Sequence, residues 1–159
     1  MNAMLTPYHL LLGLAQEMRQ LFAAVRMGDG RESAVNVYEQ SLPASTAADD
    51  EPEYAPWCIV RLTDGSANDA NTGETVNIIL LFCVQSAGLD RQGYADVLHL
   101  MQLAKQYLFE HPVVAQAFAV RPESLSWMLQ TEDSMEYYIG GITVSFDAPP
   151  IIRNAPPLD

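Results

Sequence analysis

The chain has 159 residues, enough for one domain that buries about two-thirds of its unfolded surface. Its 20 acidic and 8 basic residues leave a net charge of −12, which argues against stable nucleic-acid binding, since that depends on neutralising phosphates. No apolar run reaches the ~18 residues of a membrane helix, and no basic segment followed by an apolar one marks a secretory leader. Met1-Asn2-Ala3 reads as an added leader before Met4.

Thr6-Pro7 is a good helix start, because Thr caps free N–H groups and Pro is preformed for the first turn. Leu10, Leu11, Leu14, Met18, Leu21, Phe22 and Val25 keep the spacing of one buried face, which predicts a helix over 7–26 ended by Gly28 and Gly30. Val35 and Val37 alternate with polar residues and predict a strand over 34–40. After Leu42-Pro43, residues 44–56 form an acidic loop with Asp49, Asp50, Glu51 and Glu53. A second strand is expected over 57–63, then a polar connection containing Asp69 and Glu74.

The third strand, 75–85, is apolar on both faces: Val76, Ile78, Leu80, Phe82 and Val84 on one, Ile79, Leu81 and Cys83 on the other. Such a strand is central, covered on one side by helices and on the other by something else, a partner subunit being one candidate. Asp90 is placed to cap a second helix, whose buried stripe is Tyr94, Val97, Leu98, Met101, Ala104 and Leu108, and which stops at His111-Pro112. A short helical turn over 113–118 and strands over 124–130 and 136–147 complete the domain. The extended, proline-rich tail of 148–159 carries Ile151 and Ile152. The order α-β-β-β-α-β-β predicts a two-layer α+β domain over 1–147. Its sheet has about five strands and is mainly antiparallel, with the first three as a meander, the last two as a hairpin and both helices on one face.

Chemistry is sparse along the chain. Cys58 and Cys83 lie in apolar strands without a CxxC spacing and read as buried thiols, which makes them poor nucleophiles. His9, His99 and His111 share no metal-binding spacing, and His111 at a helix end is explained by the helix dipole. No phosphate-cradling or serine-nucleophile motif occurs. Gly140-Gly141 inside a strand points to a bulge or a close approach of a helix or neighbouring backbone. The acidic surplus between Ala44 and Glu74 lacks the calcium-loop pattern and reads as solvated charge or as a functional electronegative surface. No catalytic residue, metal or cofactor is expected.

The strand ending Val84-Gln85-Ser86 is followed by Gly93-Tyr94 and Asp96-Val97-Leu98, which open the second helix. With the late Tyr138-Ile139-Gly140 and the alternating Ile142, Val144 and Phe146, this pattern resembles tail-terminator proteins of long-tailed bacteriophages, which complete the tail and join it to the head. The resemblance covers about 75 residues plus the order of the first elements, and its motifs are those of fold and packing. It implies a non-enzymatic virion protein that forms a homohexameric ring on the tail tube. Its partners are then further copies of itself, the tail-tube protein and the head-connector protein. DNA passes through the lumen without stable binding, and assembly takes place in the host cytoplasm. Candidate contact residues are Asp49, Asp50, Glu51, Glu53, Asp69, Glu74, Ile151 and Ile152. The rival readings are another head-completion or tail-tube component, and a small ligand-binding or enzymatic α+β protein with a pocket between the second helix and the sheet.

Overall fold

The structure, a computed structural model, describes residues 5–28, 30–43, 55–67, 73–86, 92–130 and 136–150. Helix α1 (Pro7–Leu21) follows Thr6, which is extended and donates its N–H to Nδ1 of His9 at 3.0 Å. His9 thus does what Glu or Gln does in a capping box. The helix stops at Phe22, short of the expected residue 26. Val25 keeps the buried spacing but belongs instead to a two-stranded ribbon, β1 (Val25–Arg26) with β2 (Glu32–Ser33). The ribbon turns at Gly30, whose φ of +83° suits glycine.

The main sheet uses β3 (Asn36–Glu39), β4 (Trp57–Ser66), β5 (Thr75–Gln85), β6 (Val113–Val114), β7 (Phe118–Leu129) and β8 (Tyr137–Asp147), with α2 (Gln92–Glu110) between β5 and β6. Strand order is β3-β4-β5-β8-β7-β6. The fold is α+β, with two helices on a curled mixed sheet of six strands.

Three expectations need correction. β3 pairs with β4 in parallel, so the first three strands are not a meander. Seventeen residues separate Glu39 from the start of β4, enough for a crossover where a meander needs only a tight turn. Residues 113–114 form a strand on the edge of β7, not a helical turn. β7 itself begins at Phe118, six residues before the expected start, because the strand carries Pro122 within an irregularity between Arg121 and Ser126. Proline cannot donate to the ladder and is tolerated where pairing breaks. Ser124 bridges that break: its hydroxyl donates to Arg121 O at 2.6 Å and accepts the Ser145 N–H at 2.8 Å.

β5 is central, paired to β4 on one side and β8 on the other without a register break along β8. Val76, Ile78, Leu80, Phe82 and Val84 are all buried and join Leu10, Leu14 and Met18 of α1 with Val97, Leu100 and Ala104 of α2 in one core. Both helices therefore cover the same face. Phe22 and Phe82 meet edge to face at the centre, with ring centroids 5.9 Å apart.

The second helix comes close to the sheet at two glycines. A side-chain carbon at Gly93 would run into the Tyr138 ring, and one at Gly140 would lie 2.6 Å from Met101 Sδ. Close approach thus explains Gly140, and the unbroken β5–β8 register leaves no bulge there.

Candidate functional site

Opposite the helices, the sheet presents Trp57 and Ile59 of β4, Ile79, Leu81 and Cys83 of β5, and Ile139 of β8. Strand alternation places them together: Ile59 faces Leu81, and Trp57, Cys83 and Ile139 form one row. Ile59 and Cys83 are buried, and Trp57, Ile79, Leu81 and Ile139 are half-buried. The same face turns polar toward the other end of the strands. There Ser145 Oγ donates to Asn77 Oδ1 at 2.6 Å, and Asn77 Nδ2 donates to Asp64 Oδ1 at 2.9 Å. The face is thus apolar at one end and hydrogen-bonded at the other, and among the described residues no helix packs on it.

Cys58 pairs across the ladder with Phe82, the neighbour of Cys83, so the two thiols project to opposite faces and cannot form a disulfide. Burial raises both thiols, Cys83 to about 11, which keeps them protonated and unreactive at neutral pH.

On the helical side, an open groove of ≈ 390 Å³ separates α2 from β7 and is lined by Leu98, His99, Lys105, Leu125, Trp127 and Ile142 among others. Trp127 is 56% exposed and Leu98 37%. The groove contains the chain's single lysine, and its lining includes no carboxylate to partner His99. Among the described residues, no three His, Cys, Asp or Glu side chains are grouped to hold a metal ion, and no helix is long and apolar enough to cross a membrane.

Of the eight residues singled out in the sequence, Glu74 is described. It stands half-buried just before β5, and its carbonyl accepts the Ala148 N–H at 2.9 Å. Asp49, Asp50, Glu51, Glu53, Asp69, Ile151 and Ile152 lie outside the described residues, as does the expected cap Asp90.

No family model and no curated protein matches the chain.

Two polar contacts went unread in the sequence. Asp96 is 8% exposed, and its Oδ1 accepts the Gly28 N–H at 2.9 Å, tying the β1–β2 turn to α2. It belongs to the motif that opens α2, and its acidic character in a buried stripe was the available signal. Asp96→Ala removes the acceptor and should cost about 1–3 kcal/mol, read as a lower urea midpoint, whereas Asp96→Asn retains an oxygen and loses less.

The second contact joins the helices. Tyr107 OH donates to Glu17 Oε1 at 2.9 Å, while Glu17 Oε2 is buried without a hydrogen-bond partner. Tyr107 stacks on His111 with centroids 4.4 Å apart, and His111 Nδ1 lies 3.3 Å from Tyr107 O at the helix end. Desolvation raises the Glu17 carboxyl above its ordinary value, against the lowering effects of the Tyr107 hydrogen bond and the His111 charge. Burial and the Glu17 carboxylate push Tyr107 up to about 12.

A raised acid binds more protons folded than unfolded, so stability falls as pH rises from the unfolded carboxylate value of 4.5 through the folded one. Glu17→Gln should flatten that slope in urea midpoints measured from acid to neutral pH. An unchanged slope would mean that Glu17 is not its source.

Proposed function

We propose that the chain is a structural subunit of a long-tailed phage or prophage particle, the ring that caps the tail tube and joins it to the head. The observation that carries this reading is the sheet face opposite the helices, where Ile79, Leu81 and Ile139 form an apolar surface on strands whose other side is already the core. A face of this kind suits a subunit whose work is to be packed against. The motif resemblance from Val76 to Phe146 supplies the particular particle and the sixfold ring.

The charge of −12 agrees with a lumen along which DNA slides without adsorbing. The acidic segments with Asp49, Asp50, Glu51, Glu53 and Asp69 are the candidates to line it. In this reading the protein has no catalytic role, needs no cofactor, assembles in the bacterial host cytoplasm and resides in the virion tail.

Leu81→Arg tests the face. Leu81 is half-buried on the helix-free side, so the variant should keep its circular dichroism and lose higher oligomers in light scattering. An arginine variant that assembles as the parent does removes this face from the interface.

A further inference from the structure

Among the described residues, β7 carries a long unpaired edge. β6 pairs only with its first residues, Val113 with Ala119 and Val114 with Phe118, and the Val120 N–H bonds Pro112 O at 2.7 Å. From Arg121 to Leu129, among the described residues, no strand pairs with β7 on that side. The Gln130 N–H bonds Ile139 O at 3.0 Å, so the alternation of an antiparallel ladder turns the N–H and C=O of Trp127 and Leu129 outward.

Side chains frame this edge on both faces. Trp127, 56% exposed, stands on the helix side above the groove, and Met128, 61% exposed, stands on the opposite side. A strand added here would lay consecutive residues alternately on Trp127 and on Met128. It should therefore present two adjacent apolar side chains, and it need only be short.

The chain contains such a segment, and its prolines set its limits. Ile151-Ile152 lies between Pro149-Pro150 and Pro156-Pro157, which leaves residues 151–155 able to pair as a strand. That length is comparable to the four residues of β3.

The segment cannot serve its own β7. The Ala148 N–H still bonds Glu74 O, so the chain at Ala148 continues along β5 past the end of β8. Trp127 pairs with Ile142, and the six residues from there to Ala148 span about 20 Å of strand. The three residues from Ala148 to Ile151 reach at most about 11 Å back.

We propose that the Ile151–Ile152 segment of one copy adds as a strand to the free edge of β7 in a second copy, with one isoleucine against Trp127 and the other against Met128. Main-chain hydrogen bonds to Trp127 and Leu129 supply affinity, and the two apolar contacts supply selectivity. Donor and acceptor surfaces differ, so the contact is head-to-tail and closes into a ring when the rotation between copies allows. The inference rests on the ring reading above and adds the segment and the edge that link its subunits.

The test uses a chain ending at Pro150, which keeps the Ala148–Glu74 bond, with Trp57→Phe so that Trp127 is the sole tryptophan and is excited selectively. A synthetic peptide of residues 149–159 is titrated in. The expected result is a saturable blue shift of Trp127 emission, weakened at least tenfold when both peptide isoleucines are aspartate. In the full chain, Ile151→Asp with Ile152→Asp should lower the oligomer size in light scattering while leaving circular dichroism unchanged.

Emission that does not move at about 1 mM peptide, in a shortened chain with the parent dichroism, overturns the proposal. If the shortened chain does not fold, an unchanged oligomer in the full-length double variant overturns it instead. A shortened chain that fails to bind peptide yet still caps tail tubes removes this linkage and leaves the ring function standing. Peptide binding without capping does the reverse.

Discussion

Phe82→Ala should lower the thermal midpoint by about 6–20 °C. Phe82 is fully buried at the centre of β5, edge-on to Phe22 at 5.9 Å and with an interplanar angle of 81°. Its cross-strand neighbours are Cys58 and Gly140, neither of which can fill the space a lost ring leaves. A buried Phe→Ala change costs about 3–5 kcal/mol, from lost transfer energy plus the cavity. A domain of this size holds on the order of 5–15 kcal/mol in total, and each kcal/mol moves its midpoint by about 2–4 °C. Phe82→Leu keeps most of the volume and should lose much less. A midpoint within ~2 °C of the parent for the alanine variant would mean that α1 and α2 do not share one core through this ring.

Gly93→Ala should destabilise the protein where the same change in an exposed helix would stabilise it. Alanine is favoured over glycine in a helix by about 1 kcal/mol, so the outcome turns on the space at the site. A methyl group at Gly93 enters the Tyr138 ring, which is itself held edge-on by Tyr94 at 4.6 Å. Overpacking of this kind costs about 1–3 kcal/mol and outweighs the propensity gain.

The pair can be separated by a double-mutant cycle. Tyr138→Leu in the Gly93→Ala background should recover stability, giving a coupling well above the few tenths of a kcal/mol seen for independent sites. Additive losses would show that the glycine is needed for some reason other than Tyr138.

These two positions also show what could be read from the chain. The alternation from Val76 to Val84 correctly assigned each side chain of β5 to a face, because a period of two admits only one alternative register. The helical spacing of α2 located Val97, Met101, Ala104 and Leu108 in its buried stripe, but Leu98 is exposed, Tyr94 is half-buried and Leu100, not expected there, is fully buried. Partner choice was not legible in the same way. Nothing in Val35 or Val37 distinguishes a parallel from an antiparallel neighbour, and that decision lies in where the chain returns after Pro43.

Local breaks were also hidden. Proline ordinarily interrupts a strand, yet β7 runs through Pro122 because Ser124 takes over the ladder bonds at the irregularity, so the strand begins before the expected residue 124. Val25 fits the helical stripe of α1, yet the turn that includes Gly30, pinned through Gly28 to Asp96, draws it into a ribbon. Each case is a tertiary contact overriding a local pattern.

Of the two surfaces proposed for interaction, one was legible. The apolar second face of β5 was visible as a run of alternating isoleucine, leucine and cysteine without an intramolecular partner in the sequence. The free edge of β7 was not, since it depends on β6 being only two residues long. Most of the acidic candidates fall outside the described residues, so the lumen assignment stands on composition.

The role proposed for this chain, capping a tail tube, is open to negative-stain electron microscopy of polymerising tail-tube subunits with and without the purified protein. Tubes that stop at a fixed length and carry a ring at one end are the expected result. Tubes of unrestricted length with bare ends would contradict that role, as would self-polymerisation of the protein into tubes of its own.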